Sequence, residues 1–500
     1  MRYTSSDGPL EPDGFAALAV PVLADGTVPE AALRALGPAG AAAAALAARL
    51  APHVLGAHAW VAPAAGGPDV LLVGVGAADL GALRTAAMAA GRVADRPRVA
   101  SLLAAAYASA DAAAATAVAE GWALGAYRFD AYRSRATASR AEEVVLVGGD
   151  PDAVALGAAL GEAAGVTRDL VNTPPGDLPP LALADRCREL GAVHGFTVRV
   201  REGRELAQGG FGGLLAVGAG SANPPALIEL ERGRPEDPHI ALVGKGITFD
   251  AGGLSIKTNL EMQTMKADMA GAAAVIGAFV AADRLGLDTH LRGYLACAEN
   301  LPSGSAFRVG DVLRHRNGLT TEVVDTDCEG RLVLADVLAY TAEAAPSLIV
   351  DLATLSSQTG LGPRMWAGLG TDRAAVARLV AAGAASGEPG WELPLHEGYL
   401  DHLRSGVADL RNRDPAFAYA PGAVLAGLYL RHFVADVPWA HMDLGISVMR
   451  PRGDRAWAEG ANGTGARTLA RFLLDAAAAG RDSGSADQTA GNNSSGPTIR

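Results

Sequence analysis

Short apolar runs of strand length alternate along this chain with alanine-rich stretches in which apolar side chains recur at helical spacing. Over residues 1–150 the runs "PDVLLVGVG" (68–76) and "EEVVLVGG" (142–149) are closed by glycines and flanked by helical stretches, which predicts a small N-terminal α/β domain. A helix of small residues over 151–170 leads into "DLVNTPPGDLPP" (169–180), whose prolines cannot continue a helix and mark the passage to a second domain. From 171 to 480 the alternation resumes with longer strands, expected at 239–250, 290–300, 320–327, 346–355 and 438–445, and helices at 270–286 and 330–344. Strands this uniformly apolar are buried on both faces, so a mostly parallel sheet covered by helices follows. Residues 481–500 have almost nothing to bury and are expected to form a disordered tail.

Five hundred residues exceed what one hydrophobic core spans. The fold class expected is therefore α/β in two domains, a small N-terminal α/β domain and a larger C-terminal α/β/α domain with a mostly parallel central sheet. With 42 basic against 54 acidic side chains the formal charge is −12, which gives no electrostatic footprint for nucleic acid or for an anionic membrane. The N-terminal "MRYTSSDGPLEPDG" lacks the apolar core of a signal peptide, and the longest uncharged run, 50–68, holds two histidines and three prolines, a poor membrane span. Three scattered cysteines, Cys187, Cys297 and Cys328, form neither a disulfide framework nor a thiolate zinc motif, and a reducing cytoplasm is expected.

In a sheet of this kind ligands collect at the carboxyl ends of the strands. Charged residues fall there repeatedly: Lys245 and Asp250 after one strand, Asp327 and Glu329 after another, Thr354 after a third, Asp443 near the end of a fourth. The stretch "GKGITFDAGGLSIKTNLEMQTMKADMAGAAA" (244–274) supplies Lys245, Asp250, Lys257 and Asp268, and "VVDTDCEGRLVLAD" (323–336) supplies Asp325, Asp327, Glu329 and Arg331. Carboxylates converging within a few ångströms resist ionisation unless cations compensate them. Oxygen-rich sites suit Mn²⁺, Mg²⁺ or Zn²⁺, and two ions sharing bridging carboxylates would use this many ligands. A lysine could join them only as the free amine, a state that a nearby cation enforces. Any one aspartate alone is more often a solvated loop residue or a surface ion pair; the glycine-rich turns beside each charged residue argue for the joint reading.

The segments "VGKGITFDAGGLSIK", "MKADMAGAAAV" and "DTDCEGRLVLAD" resemble the signature segments of the leucine aminopeptidase family of two-metal exopeptidases. "RDLVNTPPGDL" resembles the start of that family's catalytic domain and "GANGTGARTLARFL" (460–473) its closing helix. The resemblance covers about 165–475 and implies a catalytic metallopeptidase domain over 171–480. It implies one metal held by Lys245, Asp250, Asp268 and Glu329 and a second held by Asp250, Asp327 and Glu329, with a hydroxide between them attacking the peptide carbonyl. Lys257 would stabilise the oxyanion, and Arg331 would bind a bicarbonate that moves the proton. Met265, Thr354 and Leu355 would line the pocket for the first side chain. The implied cofactors are two divalent ions, Mn²⁺ or Zn²⁺ with Mg²⁺ as a third candidate, and the implied assembly is a homohexamer acting on peptides or aminoacyl amides.

Departures from the family pattern are also present. Asp325 stands where the family usually has asparagine, which places an extra carboxylate near the expected metals and within reach of substrate; Cys328 replaces alanine, "TLSSQTG" (354–360) is longer and more polar than usual, and Ala270 replaces a glycine. These departures motivate a second expectation, a specialised biosynthetic peptidase or amidase of narrow range. A third, from another class, is a non-catalytic hexameric scaffold or DNA-binding protein, which the acidic balance disfavours. "VGVGAADLG" (73–81) imitates a dinucleotide fingerprint but lacks its third glycine, no H-E-x-x-H or G-x-S-x-G motif occurs, and His441 reads as a hydrogen-bonded core histidine.

Overall fold

A computed structural model of the chain describes residues 1–6, 16–30, 32–33, 38–50, 54–61, 68–94, 101–105, 111–135, 143–356, 359–416 and 421–491. It divides into two units, Met1–Pro174 with Ser447–Ala466, and Pro175–Ile446 with Arg467–Arg500.

The first unit carries strands β1 (Arg2–Ser6), β2 (Ala17–Leu23), β3 (His58–Val61), β4 (Asp69–Gly76), β5 (Ser101–Ala105) and β6 (Glu143–Val147) in one sheet of order β1-β6-β5-β2-β4-β3. All neighbours run parallel except β3, which turns back on β4. The alanine and glycine richness has a structural use here. A Cβ at Gly121 would meet the carbonyl oxygen of Arg84 at 2.4 Å, and one at Gly125 that of Met88 at 2.0 Å. Helices Leu80–Val93 and Ala112–Ala126 therefore touch backbone to backbone, and the buried Arg84–Glu120 pair (2.9 Å) joins them. Segment 447–466 returns to this unit because helix Pro151–Asn172 captures it: Asn172 Oδ1 accepts from Ala461 N (3.0 Å) and Arg168 Nε donates to Ala461 O (2.8 Å).

The second unit holds an eight-stranded sheet built from β7 (Thr197–Glu202), β8 (Ala226–Arg232), β9 (Ile240–Asp250), β10 (Leu291–Asn300), β13 (Leu348–Ala353), β14 (Trp366–Gly370), β15 (Gly390–Glu392) and β17 (Trp439–Asp443), in the order β15-β14-β17-β13-β9-β10-β8-β7. Its centre, β10-β9-β13-β17, is parallel; β7, β8 and β14 pair antiparallel toward the edges. Two-residue alternation on β9 separates the faces. Ala241 and Val243 pack in the core with Leu332–Leu338 of helix Gly330–Glu343. On the other side, a Cβ at Gly244 would lie 2.6 Å from Ala272 Cα in helix Ala270–Arg284. A small sheet, β11 (Val312–Arg314), β12 (Thr320–Glu322) and β16 (Leu410–Arg411), stands apart from the large one, and β18 (Met449–Arg450) pairs with β19 (Gly460–Ala461) in the first unit.

One expected strand is shorter than its sequence suggested. The apolar-to-acidic run at 320–327 ends its ladder at Glu322 and belongs to the small sheet; 323–329 is an irregular arm in which the amides of 324–327 bond to side chains rather than to a neighbouring strand. The closing helix begins at Ala466 and runs to Gly491, so the expected tail at 481–500 falls partly within it, while 492–500 lie outside the described residues.

The close helix–sheet approach yields a stability prediction. A Cβ at Gly271 would sit 2.4 Å from the carbonyl oxygen of Leu352, which is strand backbone and cannot yield cheaply. Gly271→Ala is expected to cost about 1–3 kcal/mol, read as a lower melting temperature of the purified chain; an unchanged melting curve contradicts this packing.

Candidate active site

Strand β9 carries Lys245 in its buried middle and Asp250 at its carboxyl end. The chain then doubles back through Gly252 (φ +86°) and Gly253 (φ +63°) to bring Lys257 alongside. Glycine is required at 252, where a Cβ would lie 2.4 Å from Ser255 O and 2.9 Å from Asp327 Oδ1. Asp268 closes the short 3₁₀ turn Met265–Ala267, Glu329 stands at the start of helix Gly330–Glu343, and Thr354 follows β13. Gly330 admits the stem of Lys245, whose Cε would be 2.6 Å from a Cβ there.

These elements bring the acids and the lysines together. Lys245 Nζ lies 2.8 Å from Asp268, 2.9 Å from Glu329 Oε1 and 2.9 Å from the Thr354 carbonyl, to which it donates. Lys257 Nζ lies 2.9 Å from Asp250 Oδ2 and 2.5 Å from Asp327 Oδ1. One oxygen each of Asp250, Asp327 and Glu329 fall within 4.8 Å of one another. Asp250 Oδ1 accepts from Gly252 N and Asn300 Nδ2, both at 2.8 Å, and Asp268 Oδ1 accepts from Thr354 Oγ1 at 2.7 Å.

Charge in this cluster is unbalanced. Burial, then the neighbouring acids Glu329 and Asp250, push the Asp268 carboxyl well above its usual range despite Lys245. Burial and the charges of Asp250 and Glu329 push Asp327 up to about 7, and burial with Asp250 raises Glu329. Burial alone would lower both lysines, but the acids outweigh it: Asp268, Glu329 and Asp250 raise Lys245, and Asp250, Glu329 and Asp327 raise Lys257. Asp268 Oδ2 lies 2.8 Å from Lys245 Nζ and Asp327 Oδ1 2.5 Å from Lys257 Nζ, so ammonium charge faces the oxygens that a cation would take. Four carboxylates, with a lysine that would have to give up its proton to join them, make a donor set that fits divalent cations.

Other expected residues take varied places. Met265, Thr354 and Leu355 are half-buried. Asp325 is buried: its Oδ1 accepts from Asp327 N (2.9 Å) and its Oδ2 pairs with Arg413, so both oxygens are engaged. Arg331 is buried, donates from Nη1 to Asn412 O (2.9 Å), and its Nε has no hydrogen-bond partner among the described residues. Burial pushes the Cys328 thiol up to about 11, which makes it a packing residue rather than a thiolate ligand. His441 is fully buried against Asp351 (2.7 Å). Sequence reasoning missed Asn300, Asn412 and Arg413; each lies on a distant segment and carries no local motif. Asp443, noted only for its place near a strand end, caps the loop after β13 by accepting from Leu355 N and Ser356 N, both at 3.3 Å.

Residues 165–470 match the catalytic domain of the cytosol aminopeptidase family, and 61–136 match that family's N-terminal domain. A probable cytosol aminopeptidase of Streptomyces avermitilis is 43% identical over 444 residues, 83% of this chain and 84% of its own. The bottromycin maturation enzyme BotP in complex with Mn superposes with a TM-score of 0.81 at 40% identity, over 92% of this chain and 99% of its own. The cytosol aminopeptidase of Coxiella burnetii superposes at 0.80 with 29% identity, over 95% and 99%.

The raised acids make metal uptake proton-linked. In the metal-free chain Asp327, at about 7, binds its proton more tightly folded than unfolded. Its contribution to stability is therefore full below the usual carboxylate range and lost as pH rises through about 7. A cation demands the carboxylate, so Mn²⁺ affinity should climb through about pH 7 with proton release that is larger at about pH 6 than at about pH 8. Titration calorimetry in buffers of different ionisation enthalpy measures this; equal proton release at both pH values contradicts it.

Proposed function

The chain belongs to the cytosol aminopeptidase family and is a metal-dependent aminopeptidase, and on that premise we propose that it removes the N-terminal residue of peptides at the cluster of Lys245, Asp250, Asp268, Asp327 and Glu329. The observation that carries this reading is the pair of ammonium groups, buried Lys245 and half-buried Lys257, wedged among four carboxylates too crowded to ionise together. Lys245, Asp250, Asp268, Asp327 and Glu329 would hold two divalent ions, whose chemistry when bound is polarisation of a carbonyl and acidification of a water.

The remaining work falls to side chains. Lys257 stays charged because Asp250, Glu329 and Asp327 offset its burial, which suits it to donate to the developing oxyanion. Arg331 would seat a bicarbonate as proton acceptor, its buried Nε being a donor without a hydrogen-bond partner among the described residues. Met265, Thr354 and Leu355 would contact the first side chain. Assembly as a homohexamer and a cytoplasmic location belong to the same reading.

A second reading, a biosynthetic tailoring peptidase of narrow range, draws on the likeness to BotP and on the pair of buried Asp325 with part-exposed Arg413 beside the cluster. Broad turnover across a panel of aminoacyl amides and short peptides favours the general enzyme; turnover confined to one favours the specialist.

Chelated protein reconstituted separately with Mn²⁺, Zn²⁺ and Mg²⁺ should regain hydrolysis with at least one ion, and Asp268→Ala should regain none. Lys257→Ala should retain metal but lose about 10²–10³ in kcat. Failure of every ion on every substrate contradicts the proposal.

A further inference from the structure

The acidic arm between β12 and helix Gly330–Glu343 has no ladder, yet Asp325, Thr326 and Glu329 on it are buried. Buried backbone must find partners somewhere, and one fully buried side chain from a segment over eighty residues downstream meets much of that need. Asn412 Oδ1 accepts from Val324 N (2.8 Å) and Asp325 N (3.3 Å), while its Nδ2 donates to Asp325 O (2.6 Å) and Cys328 O (3.4 Å). Its own carbonyl accepts from Arg331. Asn412 is placed by a ladder: β16 pairs in parallel with β12, Thr321 opposite Leu410 and Glu322 opposite Arg411, and Asn412 N donates to Glu322 O at 3.2 Å.

The next residue acts on the same arm. Arg413 pairs with Asp325 Oδ2, and Asp325 Oδ1 takes the Asp327 amide, bending the arm so that Asp327 turns toward Lys257. On the opposite side Thr326 Oγ1 donates to Gly252 O (2.7 Å) and accepts from Ser255 N (2.7 Å), and Asn300 ties Asp250 Oδ1 to Thr326 O. The arm is thus gripped from the β9 loop on one side and from residues 412–413 on the other. An asparagine at 325 would keep the acceptor for Asp327 N but lose the pair with Arg413, so this chain gains a tether without adding net charge beside the cluster.

We propose that Asn412, together with the Asp325–Arg413 pair, is a positioning device that sets Asp327 for metal binding; Asp325 is assigned to this tether rather than to substrate. The inference rests on the two-metal reading above. Groups that hold a metal ligand in place are typically worth 10–100-fold in metal affinity, whereas a merely structural asparagine would lower the melting temperature and leave the two affinities in their original ratio.

The test uses the full-length chain stripped of metal and titrated with Mn²⁺ by calorimetry, with electron paramagnetic resonance reporting spin coupling between ions. Wild type should take up two ions and give a coupled signal. Asn412→Ala should weaken one binding event about tenfold or more, leave the other nearly unchanged, and replace the coupled signal by that of an isolated ion. Arg413→Gln, whose side chain is part-exposed and whose loss the fold should tolerate, should weaken the same event by less. Asp325→Asn combined with Arg413→Gln should lose no more than either alone, since one tether is removed in each case. Two wild-type affinities in both Asn412→Ala and Arg413→Gln, or a parallel fall of both affinities in Arg413→Gln, overturns the proposal. A wild-type chain that takes up fewer than two ions overturns the metal reading itself, and the positioning role with it.

Discussion

Everything at the centre of this molecule depends on a charge imbalance held in a buried place. Two lysine ammonium groups face four carboxylates from three separate segments, so the acids can all be ionised only if further positive charge is added. Without it the imbalance is relieved by protons, which is why burial and mutual repulsion raise Asp268, Asp327 and Glu329 together. Such a cluster would be a poor way to stabilise a fold, since unpaired buried charge is costly; its physical sense is as a receptacle for cations.

The surrounding architecture serves to hold that strained arrangement still. The parallel centre of the sheet brings the end of β13 beside Lys245 in the middle of β9 and the end of β10 beside Asp250, and β17 next to β13 supplies Asp443 to cap the loop that follows Thr354. Small residues let the covering helices approach closely, which locates Asp268 before one helix and Glu329 at the start of another. Where regular structure ends, side chains take over: Asn300, Thr326 and Asn412 replace ladder hydrogen bonds along the acidic arm.

Much of this was legible in the sequence because it is local. Mainly apolar runs of strand length announced β4, β9, β10, β13 and β17, and the helical spacing after Asp268 and Glu329 announced the covering helices. Lys245, Asp250 and Lys257 sit within thirteen residues, so their motif travels intact in the linear chain. The end of β12 was not legible, since "EVVDTD" has strand-like alternation and the side chains that compete for its amides, Asn412 and Ser255 among them, come from distant segments. Asn412 and Arg413 themselves sit in "LRNRDP", which reads as an ordinary polar turn; their significance exists only in three dimensions. The antiparallel β14 between β15 and β17 was likewise silent, because strand direction leaves no mark on composition.

The most direct measurement is anomalous diffraction at the manganese edge from crystals of the full chain grown with Mn²⁺. Two adjacent peaks are expected, both within coordinating distance of Asp250 and Glu329, one flanked by Lys245 and Asp268 and the other by Asp327. A single peak, or density that lies away from these five side chains, would contradict the central claim that their crowding exists to gather a pair of cations.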